Sequence, residues 1–121
     1  MKIIIAGGRD FKNLNLLTKS CDMYLSKCQI NDIEIVSGTA NGADSLGEEY
    51  AKLKGFKCKQ FPAEWDKYGK GAGFKRNCEM ANYSDALIAF WDGISKGTKH
   101  MINTAKKKGI QVKIVNYISN E

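Results

Sequence analysis

The stretch KIIIAGGRD, residues 2 to 10, sets the reading of the whole chain. Lys2 to Ala6 is a short apolar run with the character of a strand. It halts at Gly7-Gly8 and is followed at once by a charged pair, Arg9 and Asp10. A strand that ends in glycine and then charge makes an edge where backbone and side chains can meet a ligand.

Outward from this stretch, helical and strand-like segments alternate. Leu14, Leu17, Cys21, Tyr24, Leu25 and Cys28 recur at helical spacing, predicting an amphipathic helix over 14–29. IEIVS (33–37) is a second strand, stopped by GTANGAD. Ala43, Leu46, Gly47, Tyr50 and Leu53 mark a second helix closed by Gly55. FKCKQF (56–61) alternates as a strand with one exposed face, suited to a sheet edge. After the glycine-spaced loop KYGKGAG comes a helix around RNCEM, which places Arg76 and Asn77 near its start. DALIAFW (85–91) is apolar enough to be a central strand. GTKHMINTAKKK is a final helix ended by Gly109, and IQVKIVNY (110–117) completes a sheet.

The order β-α-β-α-β-α-β-α-β with short connections predicts an α/β fold. Right-handed crossovers make it a Rossmann-like three-layer sandwich with a mostly parallel five-stranded sheet, in the order 3-2-1-4-5. Its ligand crevice then lies beyond the strand ends at Ala6 and Trp91. Residues 1–121 read as one domain, long enough for a single core.

Composition narrows the class. With 43% apolar and 26% charged residues, the chain is not of disordered type. Its longest apolar runs, IIIA and ALIAFW, are too short to cross a bilayer, and Met1-Lys2 leads into a strand without a signal-like leader. The expectation is a cytoplasmic protein without a membrane partner. The net charge of +6, from 19 Lys and Arg against 13 Asp and Glu, suits an anionic partner and suits solubility equally. Cys21, Cys28, Cys58 and Cys78 form no CxxC pair or zinc spacing, and most read as reduced core thiols. No metal site and no cofactor is expected.

Each glycine-rich loop follows a strand, so all converge on one edge: GGRDF, GTANGAD, PAEWDKYGKGAG and DGISKGT. Glycine lets backbone approach a phosphate, and helix starts offer free N–H groups. Candidate ligand contacts are Gly7, Gly8, Arg9 and Asp10 in the first loop, and Gly38, Thr39, Asn41, Gly42 and Asp44 in the second. Trp65, as a stacking surface, and Arg76 and Asn77 follow, with Gly93, Ser95, Gly97 and Thr98 in the last loop. Asp10, Asp44, Ser45 and Thr98 are also suited to helix capping. Arg76 has two readings. It pairs structurally with Glu79 or Asp85, or it binds an anion, the task for which a guanidinium is best shaped. His100, the single histidine, lies in the first turn of the last helix and has no partner at defined spacing.

These motifs, in this order, resemble the SLOG superfamily, the Rossmann-like group that joins the DNA-processing protein DprA (Smf) and the LONELY GUY nucleotide hydrolases. The branch most similar is YspA-like, found in bacteria and phages. GGRDF, GTANGADSLGEEYA, FPAEWDKYGKGAGFKRNCEM and DGISKGTKHM carry the resemblance, over residues 3 to about 117. It implies a pocket for a nucleotide or nucleotide-derived signal, and a homo-oligomer. LONELY GUY enzymes place a catalytic Glu three residues after the threonine of their GGxGTxxE motif; that position here is Met101. Their arginine on the preceding helix is matched by Arg76.

The leading expectation is therefore a binding protein for an ADP-ribose-type or cyclic nucleotide signal, acting as sensor or sequestering protein. In a phage it could counter host immune signalling. The alternative is a nucleotide N-glycosidase or phosphoribohydrolase, which the missing carboxylate disfavours. Single-stranded nucleic-acid binding comes third, because no basic stripe with interleaved aromatics stands out.

Overall fold

Alternation along the first strand creates the two sides of the molecule. In β1 (Lys2–Gly7), Ile3 and Ile5 enter one buried cluster while Ile4 and Ala6 enter the other. A strand covered on both faces must be apolar at every position, which is why KIIIA shows no polar alternation. The computed structural model describes residues 1–27 and 32–118.

The other elements are α1 (Leu14–Ser26), β2 (Glu34–Ser37), α2 (Ala43–Lys54), β3 (Lys57–Gln60), α3 (Trp65–Tyr68), α4 (Ala72–Tyr83), β4 (Ala86–Trp91), α5 (Lys96–Lys108) and β5 (Gln111–Asn116). The strands lie in the order β3-β2-β1-β4-β5, as expected, and every pairing is parallel. Helices α1 and α2 cover one face through Leu17, Cys21, Ala43, Tyr50 and Ala51. Helices α4 and α5 cover the other through Met80, Ala81, Met101, Ile102 and Ala105. The result is the expected Rossmann-like three-layer sandwich.

Local signals account for the helix ends. Asn13 caps α1, its Oδ1 accepting from Leu16 N at 2.9 Å. Gly55 and Gly109 close α2 and α5 in the left-handed conformation. The end of the first helix anticipated over 14–29, with Cys28, lies outside the described residues.

Four expectations need correction. First, the glycines of KYGKGAG do not form a loop: Gly69–Gly71 make a 3-10 turn and α4 begins at Ala72, so Arg76 lies in the second turn of its helix. His100 likewise sits one residue further into its helix than expected, because α5 begins at Lys96 rather than Gly97. Second, β3 is exposed at all four positions, because this four-residue strand lies at the rim of the sheet, at the margin of α2. Third, Leu53 is 67% exposed, so the apolar face of α2 ends at Tyr50 and Ala51. Fourth, of the described cysteines only Cys21 is a core thiol, its pKa pushed up to about 12 by burial and then by Asp22; Cys58 and Cys78 are exposed. Among the described residues, no helix is long and apolar enough to cross a membrane.

Candidate functional site

Parallel strands present all their carboxyl ends on one edge, and the order reverses between β1 and β4. A crevice must open there, because the loops leaving the two strands turn to opposite faces. At that point lies a cavity of about 250 Å³. Its floor is Ala6 and Gly7 of β1 with Met80 and Met101 of the facing helices. Arg9, Asp44, Trp65, Lys70, Arg76 and Thr98 bring its polar and aromatic chemistry. A second cavity of about 340 Å³ adjoins it, lined by Gly38, Thr39, Asn41, Pro62 and Ala63. Arg9, Ala40, Trp65 and Arg76 line both.

Arg76 reaches this junction from α4. Its Nη1 donates to the Gly38 carbonyl oxygen and its Nε donates to Asn77 Oδ1 at 3.1 Å. Neither carboxylate expected as its partner takes that part. Glu79 pairs with Lys75 at 3.5 Å, and Asp85 accepts from the backbone N–H of Lys2 at 2.8 Å. The guanidinium is instead neutralised at a distance by Asp44. Burial lowers the pKa of Arg76, Asp44 opposes that, and Arg9 adds to it. Two guanidiniums, Arg76 half removed from water and Arg9 nearby, share one carboxylate, which leaves a net positive charge suited to an anion.

Asp44 does not cap α2. The N-cap is Gly42, and the Asp44 side chain folds back so that Oδ2 accepts from Ala40 N at 3.2 Å. Ser45 Oγ donates to the Ala40 carbonyl oxygen at 3.0 Å, and Thr39 N donates to Ser37 Oγ at 3.1 Å. The backbone donor of Thr39, expected to suit a phosphate, is therefore already satisfied by a side chain, and so is that of Ala40. One role of this loop is to seat a carboxylate. Burial lifts the pKa of Asp44 to about 6, against the pull of the Ala40 N–H, Arg76 and Arg9.

The closeness of these groups depends on Gly38. A Cβ there would stand 2.6 Å from Arg76 Nη1 and 2.8 Å from Asp44 Oδ2. Any side chain at this position would push apart the two charged groups that meet over it.

The last loop is built by Asp92, whose Oδ1 accepts from the backbone N–H groups of Ile94 and Ser95, each at 2.8 Å. Ser95 caps α5 towards Thr98, and the two hydroxyls are 3.1 Å apart. Gly97 thus sits in the first turn of the helix rather than in the loop, and it lines the first cavity with Ser95 and Thr98. Trp91 donates its indole N–H to the Ser95 carbonyl oxygen at 3.1 Å, which makes it part of the loop's scaffold.

Of the sequence candidates, Gly7, Arg9, Asp44, Trp65, Arg76, Asn77, Ser95, Gly97 and Thr98 line the first cavity, while Gly38, Thr39 and Asn41 line the second. Gly8, Asp10, Gly42 and Gly93 line neither. Asp10 accepts from the Tyr117 hydroxyl at 2.6 Å, away from the crevice, and Gly8 leaves room for that hydroxyl. Gly42 is packed against the backbone of Gly8 and Arg9, and Gly93 occupies an open turn.

Sequence reasoning missed Phe74 and Gly73. Phe74 and Trp65, each about half exposed, flank the first cavity. Gly73 lies under the Trp65 indole, where an added Cβ would be 3.3 Å from its ring. Lys70 adds a third positive charge from the 3-10 turn. Among the described residues, no group of three His, Cys, Asp or Glu is placed to hold a metal ion.

A parallel sheet with a cationic, aromatic-flanked crevice at its switch point defines a Rossmann-like domain of the nucleotide-site class. The family model described as YspA, cpYpsA-related SLOG matches residues 1–68, which include Arg9 and the Asp44 loop. The gene 61 protein of Mycobacterium phage D29 is 32% identical over 117 residues, covering 92% of this chain and 93% of that protein. The chain belongs to the YspA, cpYpsA-related SLOG family. Membership carries nucleotide-related ligand binding at the level of the family.

Proposed function

We propose that the chain binds a nucleotide-derived small molecule of the ADP-ribose type and holds it unchanged, as a sensor or a sequestering protein. The observation that carries this reading is the pair of cavities meeting at Arg9, Trp65 and Arg76. A ligand with phosphates at its centre and an organic group at each end matches that division. The guanidiniums take the phosphates, and Trp65 offers an indole face to a base. Met101, only 2% exposed, puts a thioether where the LONELY GUY enzymes carry their carboxylate, which favours holding over cutting. A relative encoded by a phage is in keeping with capture of a host signal.

The test is calorimetry with ADP-ribose, AMP and a single-stranded oligonucleotide, followed by analysis of ligand recovered from the denatured complex. ADP-ribose should bind, return intact, and lose at least ~10-fold in affinity with Arg76→Ala, the ordinary cost of deleting a charged hydrogen-bond partner. Salt-sensitive oligonucleotide binding without ADP-ribose binding overturns the reading.

One observation favours a second reading. Asp44 is a buried carboxyl group at the cavity wall with a pKa raised into the range of a general acid. Release of adenine or ribose phosphate during incubation, lost with Asp44→Asn, would establish the chain as a hydrolase.

A further inference from the structure

Behind Arg76, a file of hydrogen bonds crosses from α4 to α5. Arg76 Nε donates to Asn77 Oδ1 at 3.1 Å, and Asn77 Nδ2 stands 3.1 Å from His100 Nδ1. Donor and acceptor chemistry fixes each proton in it. A guanidinium only donates, so it must meet the amide oxygen of Asn77. The amide nitrogen then faces His100, and that nitrogen also only donates. His100 Nδ1 must therefore offer a lone pair, which makes the imidazole neutral with its proton on Nε2. A proton added at Nδ1 would set N–H against NH₂. Flipping the amide would only transfer the conflict to the guanidinium.

We propose that His100 is a positioning residue for the ligand-binding arginine: through Asn77 it aims Arg76 at the junction of the two cavities, and it does so only while neutral. Asn77 is 6% exposed, so neither end of its amide has ready access to water as a substitute partner. Phe74 stacks on the other side of the imidazole, with centroids 4.1 Å apart and planes 17° from parallel, and holds the ring in register. The same Phe74 lines the first cavity, so the ring pair joins the file to the ligand space twice.

The elements packed most closely against α5 are α4, β1, β4 and β5. Their charged side chains are Lys75, Arg76 and Glu79 on α4, Lys2 on β1 and Lys113 on β5. None of these shifts His100, nor does any lysine of its own helix; burial alone lowers its pKa below 6.5. The hold on Arg76 is thus complete above that pKa and is lost as pH falls through it. Asp44 works in the opposite sense, since protonating it withdraws a negative charge beside the site. Substitution at 100 separates the two.

The proposal rests on Arg76 as the anion contact, but its test begins without ligand. Because His100 is the only histidine, an imidazole ¹⁵N correlation spectrum contains one residue. It should show the Nε2–H tautomer at pH 8. The Arg76 Nε–H signal should then move, and exchange faster with water, as pH falls through the His100 pKa. His100→Phe keeps the ring stack but offers no acceptor, and should leave Arg76 Nε–H fast-exchanging at every pH. His100→Asn places Oδ1 where Nδ1 was, and should keep the signal protected throughout.

With ADP-ribose, His100→Phe should raise Kd about fivefold, and His100→Asn should stay within about twofold of wild type at pH 8 but bind more tightly than it in acid. An Nδ1–H tautomer, or an Arg76 signal indifferent to His100 and its protonation, overturns the proposal. If the spectra behave as described and ADP-ribose binds no variant, the ligand assignment falls and the positioning role stands.

Discussion

Asp44→Asn should make the free protein more stable, and the gain should depend on pH. The carboxyl group is buried, with a pKa lifted from 3.8 to about 6. That value already includes the favourable pull of Arg76 and Arg9, so it measures the net cost of keeping a charge in this place. A carboxylate whose pKa is higher folded than unfolded destabilises the fold above the folded pKa. The penalty fades as pH falls from about 6 towards 3.8 and is absent below. At ~1.4 kcal/mol per pH unit of displacement, the full penalty is about 3 kcal/mol. Asparagine has the same shape and retains an oxygen to accept from Ala40 N, so the substitution removes charge and little else. Urea unfolding at pH 8 should show a gain of about 3 kcal/mol, and Tm should rise by on the order of 10 °C. At pH 4 the two proteins should nearly coincide. A variant no more stable than wild type at pH 8, or an advantage unchanged between pH 8 and pH 4, would refute the reasoning. A gain would also show that the native site keeps a destabilising charge, as sites shaped for binding commonly do.

Two further substitutions probe the junction. Gly38→Ala should detach Arg76 from the backbone and weaken ADP-ribose binding at least ~10-fold, because the new Cβ would lie 2.6 Å from Arg76 Nη1; unchanged affinity would mean that the guanidinium docks elsewhere. Trp65→Ala should weaken binding by ~1–3 kcal/mol while leaving Tm nearly unmoved, since the indole is half exposed in the free protein; unfolding of this variant would make Trp65 a structural residue.

How much of this was legible in the sequence depended on distance along the chain. β1 and β4 were plain, because strands buried on both faces leave unbroken apolar runs, and from them the strand order and the crevice followed. FKCKQF misled because alternation reports a chemical pattern, whereas burial needs a covering layer, and β3 lies at the margin of the one that α2 provides. KYGKGAG was read as loop because glycine usually punctuates. Here Gly73 is helical, and its missing side chain makes room for an indole eight positions earlier. The self-satisfied loop at Thr39 and Ala40 depends on the rotamers of Ser37 and Asp44, which no spacing rule encodes. His100 looked isolated for a similar reason: its partner Asn77 belongs to a different helix, and only packing α4 on α5 brings them together.

The two outer strands have a bearing on how molecules of this protein can meet. β3 carries Lys57 and Lys59, and β5 carries Lys113, each beside a row of backbone groups left unpaired at the rim of the sheet. Extending the sheet from one molecule into the next would crowd these ammonium groups together, a common safeguard against runaway strand addition. Were copies of the chain to associate, the lysines would disfavour continuous ribbons and leave contacts through the helices, where assembly can stop at a fixed number of copies.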